Sequence, residues 1–212
     1  MRSTAYKSSA AKVAKIIGVA IEGAEAALTE GRIEQEPAMT DRMLGRIEQA
    51  LENLEIGGIT WKAKTLTDRG RNAQEARLGA DFMGVLDVQV PGYLVKKGFL
   101  AQAKMIRRWG FLDTRDLVEQ CERMLAVSPD SFVFLYSEKG VVVTSATAVV
   151  AASGNLSAVH KEKVQKFFLS HLMCMIGDRA ISSPTPSGLE DLLQRANARR
   201  GLSITAASPL YL

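Results

Sequence analysis

Cysteine is scarce in this sequence: Cys121 and Cys174 are the two present in 212 residues, far apart and in no C-x-x-C arrangement. That count excludes a disulfide framework, and a reducing compartment, the cytoplasm, is the expected setting. Histidine is equally sparse, with His160 and His171. Neither stands near a suitable nucleophile, so a Ser-His-Asp hydrolase is not indicated. His171 and Cys174 lie one helical turn apart in HLMC, but zinc takes about four ligands and no second pair accompanies them. Both read as core residues on an apolar stripe. No apolar run reaches the roughly 18 residues that a membrane helix needs. The sequence has no G-x-x-x-x-G-K-[ST] and no G-x-G-x-x-G, which argues against nucleotide-driven chemistry. Aromatic residues make up only 6%, so small aliphatic side chains must supply most of the core.

What is present suits one globular domain: 47% of residues are hydrophobic and 24% charged. A chain of this size can bury a core without disulfide or metal staples. The net charge of +4 is mildly basic and permits a polyanionic partner without requiring one. The first 30 residues carry lysines and an A-E-A. Lys12, Lys15, Glu22 and Glu25 interrupt the apolar centre that a signal peptide needs. Val13, Ile17, Ile21, Ala24 and Leu28 follow helical spacing instead, predicting a helix over 9–28 that ends near Gly31.

A second helix is expected within 32–58, with Pro37 at its first position and Met43, Leu44, Ile47, Leu51 and Leu54 as its stripe. The period then changes from 3.6 to 2. Strands are expected at 58–67, 80–90 and 99–105, joined by short links as an antiparallel meander. A helix over 113–127 turns Leu117, Cys121, Met124 and Leu125 inward. Strands follow at 131–137 and 141–152, then a helix over 157–177, a linker and a short helix over 189–201. The fold class expected is α/β, a mixed central sheet flanked by helices. The chain divides into an N-terminal helix (1–30), a core (31–150) and a C-terminal helical extension (151–212).

The chemistry concentrates in the stretch GADFMGVLDVQVPGYLVKKGFLAQAKM. In a strand, residues two apart share a face, so Gln102 and Lys104 point the same way, with Leu100. If the strand opening at Asp81 pairs antiparallel with this one, Asp81 comes to lie beside Gln102 and Lys104. A carboxylate, an amide oxygen and an ammonium then meet at one edge of the sheet. Oxygen ligands of this kind suit Mg²⁺ or Mn²⁺, which polarise a phosphate and lower the pKa of a bound water. A lysine beside them can orient that water or stabilise the charge that develops.

This pattern, preceded by a helix that starts with an acid, resembles the PD-(D/E)xK nuclease superfamily, the restriction-endonuclease-like fold. The resemblance spans about half the chain and is clearest from Glu75 to Met105. It implies an α-β-β-β-α-β core and metal-dependent endonuclease activity on nucleic acid, with double-stranded DNA as the expected substrate. Restriction or anti-phage defence is implied by analogy with that family. It implies Asp81 as the first metal-binding acid and Lys104 as the motif lysine. Gln102 takes the place of the second acid, and the carbonyl of Ala103 is a further ligand. Glu36, just ahead of Pro37, matches the helix glutamate, with Glu34 its neighbour in competition and Glu75 a second acid before Asp81. Two departures stand out: Gln102 is neutral, and Ala80 replaces the usual proline. A catalytically inactive nucleic-acid-binding or assembly module is the alternative.

Basic residues surround the motif: Lys62, Lys64, Arg69, Arg71 and Arg77 before Asp81, and Lys96, Lys97, Arg107 and Arg108 around the Gln-x-Lys strand. These are the candidates for phosphate contacts. A homodimer, or membership of a larger complex, is the expected assembly, with no membrane partner.

Overall fold

A computed structural model describes residues 2–33, 35–67, 80–106, 114–182 and 198–209. They form five helices and eight strands: α1 (Arg2–Thr29), α2 (Glu36–Ala50), β1 (Leu54–Ile56), β2 (Ile59–Thr67), β3 (Phe82–Val90), β4 (Tyr93–Met105), α3 (Arg115–Leu125), β5 (Ser131–Ser137), β6 (Gly140–Ser145), α4 (Ala146–Ala151), β7 (Glu162–Lys163), α5 (Val164–Leu172) and β8 (Arg200–Ala207). The strands make one mixed sheet in the order β1-β2-β8-β3-β4-β5-β6-β7.

The helices cover both faces. Strand alternation sends Trp61, Phe82, Leu86, Phe99, Ala101, Phe134 and Ile204 to one face, where they pack with Ile17 and Ile21 of α1, Met43 and Ile47 of α2, and Phe167 of α5. The opposite residues, Met83, Val85, Leu100, Val133 and Leu135, pack with Leu117, Cys121 and Met124 of α3 and Val149 of α4. The α/β class with helices flanking a mixed sheet is therefore the architecture observed. Gly84 keeps the first layer closed: a Cβ there would stand 2.3 Å from the Phe99 ring.

Several expectations need correction. α1 begins at Arg2 rather than residue 9, because tertiary contact extends it. Tyr6 is buried, stacks on Trp61 with ring centroids 5.8 Å apart and donates its hydroxyl to the Leu172 carbonyl at 2.7 Å. The end of the expected second helix is instead a hairpin, β1–β2, turned by Gly57 and Gly58 with φ of 65° and 72°. The meander is half right. β3 and β4 pair antiparallel, and β4 starts at Tyr93, directly after the turn. β2 does not neighbour β3, because β8 lies between them, antiparallel to β2 and parallel to β3. The region beyond 150 is thus more than a helical extension: it supplies a central strand. Of the helix expected over 189–201, residues up to 197 lie outside those described, and Arg200 and Gly201 belong to β8. The strand expected over 141–152 ends at Ser145, whose hydroxyl accepts from the Ala148 N–H at 3.1 Å and so caps α4. The helix expected over 157–177 is confined to α5.

Candidate functional site

β4 runs on past the beginning of β3. Phe82 is paired with Ala101, and the Asp81 N–H donates to the Ala101 carbonyl at 2.8 Å, so the ladder on that side ends there. On the other side β4 continues in parallel register with β5, from Leu100↔Ser131 to Met105↔Tyr136. The N–H groups of Ala103 and Met105 therefore face an edge with no strand, and buried N–H groups need acceptors. Two carboxylates provide them. Asp81 Oδ2 accepts from the Ala103 N–H at 2.9 Å, and Glu36 Oε2 accepts from the Met105 N–H. The acids expected from sequence alone, one opening a strand and one opening a helix, thus meet at the same stretch of backbone.

Gln102 joins them. Its Nε2 donates to Asp81 Oδ2 at 2.6 Å and to the Ala103 carbonyl at 3.1 Å, and the residue is only 6% exposed. Alternation puts Gln102 on the α3–α4 face with Leu100, as expected. Lys104 follows two residues on, by alternation on the same face, half-buried, and with no hydrogen-bond or ion-pair partner among the described residues.

The helix side is pinned from below. The Thr40 hydroxyl donates to the Glu36 carbonyl at 3.0 Å, so the 3.0 Å contact between Thr40 and the Tyr136 hydroxyl has Tyr136 as its donor. Tyr136 is fully buried on β5, and burial pushes its phenol well above the ordinary range. It stays neutral and fixes the first turn of α2 over the strand ends.

Electrostatics strain the cluster. Burial raises the Asp81 carboxyl above the ordinary value; the Ala103 N–H pulls it back, the Glu36 charge pushes it up again, and Arg199 and Arg200 lower it. Those two arginines were not anticipated as site residues. The doublet in ANARRG is visible in the sequence, but nothing local to it indicates that β8 inserts beside β3. Arg200 is paired in register with Phe82, one residue from Asp81. Its guanidinium holds the Asp41 carboxylate through Nε and Nη2, the second bond at 3.0 Å. A cleft of about 290 Å³ opens beyond the end of β4, lined by Ile33, Met105, Ile106 and Glu138 among others.

The oxygens gathered here are of the kind that a hard divalent cation takes. The Asp81 carboxylate and the Ala103 carbonyl both lie within hydrogen-bond reach of the Gln102 amide nitrogen, so these oxygens surround one small volume. A half-turn of the terminal amide replaces Nε2 with Oε1, and the two orientations have the same shape. The available donors are then all oxygens, the set that Mg²⁺ and Mn²⁺ take, with Glu36 at the Met105 N–H, two residues along β4 from Ala103. The residues fit the ion in kind and are low in charge. Among the described residues, no group of three or more His, Cys, Asp or Glu side chains could hold a metal.

Of the phosphate-contact candidates, Lys62 and Lys64 are exposed on β2. Lys62 is in register with Thr205, which is in register with Asp87, which pairs with Lys96, so all four share one row across the sheet. Lys96 also holds Asp87 at 3.1 Å. By alternation these lysines share the face of Gln102 and Lys104. Lys97 is a correction: it is 3% exposed, and its Nζ donates to the Ile176 carbonyl, so it has no access to a phosphate. Glu34, Glu75, Arg69, Arg71, Arg77, Arg107 and Arg108 lie outside the described residues.

Against known proteins, the chain matches no family model, no curated protein and no solved structure. No described helix is long and apolar enough to cross a membrane.

Proposed function

We propose that the Asp81–Gln102 end of the sheet hydrolyses phosphodiester bonds of nucleic acid, with double-stranded DNA as the substrate and Mg²⁺ or Mn²⁺ as the cofactor. The observation that carries this reading is the convergence of the Asp81 carboxylate, the Gln102 amide and the Ala103 carbonyl on one volume at an unpaired strand end, with Lys104 beyond. The restriction-endonuclease-like family is proposed with it. The element order α2-β2-β3-β4-α3-β5 is compatible with the core that the resemblance implies, while the insertion of β8 between β2 and β3 departs from a simple meander.

Asp81, Gln102 and Ala103 hold the cation, and Glu36 assists from the helix side. The bound ion contributes Lewis acidity at the scissile phosphate. Lys104, with an ammonium committed to no described partner, orients the attacking water and stabilises charge as the 3′ oxygen departs. Lys62 and Lys96 share a row about 20 Å along the strands from Gln102, at roughly 3.4 Å per residue, and Lys64 stands two residues nearer, at about 14 Å. Such a row tracks the duplex backbone away from the cut.

One observation favours a second reading. The Gln102 amide nitrogen already bridges Asp81 and Ala103, which is how a neutral side chain closes a vacated cation site. The chain is then a nucleic-acid-binding module of the same fold. Titration with Mn²⁺ separates the two. The nuclease reading expects one site that Asp81→Asn weakens by at least about tenfold. No binding by either protein favours the module.

A further inference from the structure

The parallel register of β8 with β3 pairs Arg200 with Phe82, one residue from Asp81, and so places it on the α1–α2 face, across the strand end from Gln102 and Lys104. The Asp41–Arg200 pair is not an ordinary surface ion pair. The Arg200 side chain is 14% exposed and Asp41 59%, so the arginine is the sheltered member. Asp41 engages Nε and Nη2 side-on. That fork fixes the plane of the guanidinium and leaves Nη1 with no partner among the described residues. The same guanidinium lies close enough to Asp81 and Tyr136 to influence both, so it borders the cluster that would hold the cation. A planar donor fork with one edge held by a carboxylate and the other open matches the geometry of a phosphate oxygen. An arginine placed there only to neutralise Asp81 would not need a second carboxylate to hold its plane.

We propose that Arg200, held side-on by Asp41, is a ligand for a non-bridging oxygen of the substrate phosphate, and that Asp41 is its positioning residue. This rests on the nucleic-acid reading of the site. Arg199, exposed on the next position, adds charge without the fork.

The test measures duplex DNA binding by fluorescence anisotropy with Ca²⁺ across a salt series, cleavage with Mg²⁺, and Mn²⁺ affinity, using the full chain. Arg200→Ala is expected to weaken duplex binding about tenfold and reduce the salt slope by about one. It should lower cleavage by about a hundredfold. Mn²⁺ affinity should stay equal or rise, because a cation leaves the neighbourhood of Asp81. Arg200→Lys keeps the charge but loses the fork and should recover binding more than cleavage; Asp41→Asn should lower cleavage with little change in Mn²⁺ affinity. These two carry the test if Arg200→Ala fails to fold. Wild-type binding and cleavage in the Arg200 and Asp41 variants would overturn the proposal. A wild-type protein that binds DNA through Arg200 but never cuts would sink the nuclease reading and leave the phosphate ligand standing. A protein that neither binds nor cuts would overturn both.

Discussion

Strand β4 buries ionisable groups towards both ends, and the two places are built in opposite ways. Towards its start, Lys97 sits under the segment that follows α5, donating to the Ile176 carbonyl beside the fully buried His171. That segment is tied down by the Gly98 N–H on the Asp178 carbonyl and the Gly177 N–H on Asp130 Oδ1, each at 2.9 Å. His171 meets the edge of Phe99 at a centroid distance of 4.9 Å. Burial, with the Lys97 charge adding to it, pushes the imidazole down to about 3. At the far end, Asp81 and Glu36 complete a backbone edge that no strand pairs. Burial and like charge push Asp81 up, and the open edge leaves room for a ligand. The closed end covers its groups with the segment after α5. The other end keeps acids together at a place where a cation relieves them. Buried charge alone does not mark a site; the unpaired strand end beside it does.

The sharpest way to break this comparison is pH, because the two ends carry opposite signs. His171 binds a proton in the unfolded chain from about pH 6.5 downwards but in the folded chain only near 3. Its contribution therefore falls as pH drops through that window, by up to about 1.4 kcal/mol per pH unit. Urea unfolding of the wild type should lose about 2 kcal/mol between pH 6.5 and 5 from this source, and His171→Leu should flatten that slope. Asp81 runs the other way. Its folded value lies above the unfolded one, so protonation on acidification relieves the fold. Asp81→Asn should raise the melting temperature at neutral pH. Equal pH slopes in wild type and His171→Leu, or a marked loss of stability in Asp81→Asn, would mean that the two ends do not differ as described.

A smaller effect separates the lysines. Lys62→Ala and Lys64→Ala should each weaken duplex affinity about threefold and lower the salt slope by about one. Lys97→Met should change affinity less than about twofold, since an inward lysine releases no counterions. Binding that depends on Lys97 would contradict its burial.

The β3–β4 hairpin was legible from its period-2 pattern and Pro91-Gly92, and with it the pairing of Asp81 and Gln102. Glu36 was legible because Pro37 marks a helix start. β8 was not, because its partners β2 and β3 are distant in sequence and its alternation, G-L-S-I-T-A-A, is weak. Arg200 and Asp41 were missed with it. Lys96 and Lys97 could have been separated. Adjacent residues in the middle of a strand point to opposite faces of the sheet, so both could not meet one phosphate backbone there. Which of them turned inward depended on the packing near α5, which is not a local property.

The most direct measurement is cleavage of supercoiled plasmid in Mg²⁺, in Mn²⁺ and in EDTA, by the wild type beside Lys104→Ala. The account predicts cutting that needs the metal and falls at least about a hundredfold in the variant. Metal-dependent cutting that persists in Lys104→Ala, or no cutting under any of these conditions, would contradict the assignment of this strand end as a nuclease site.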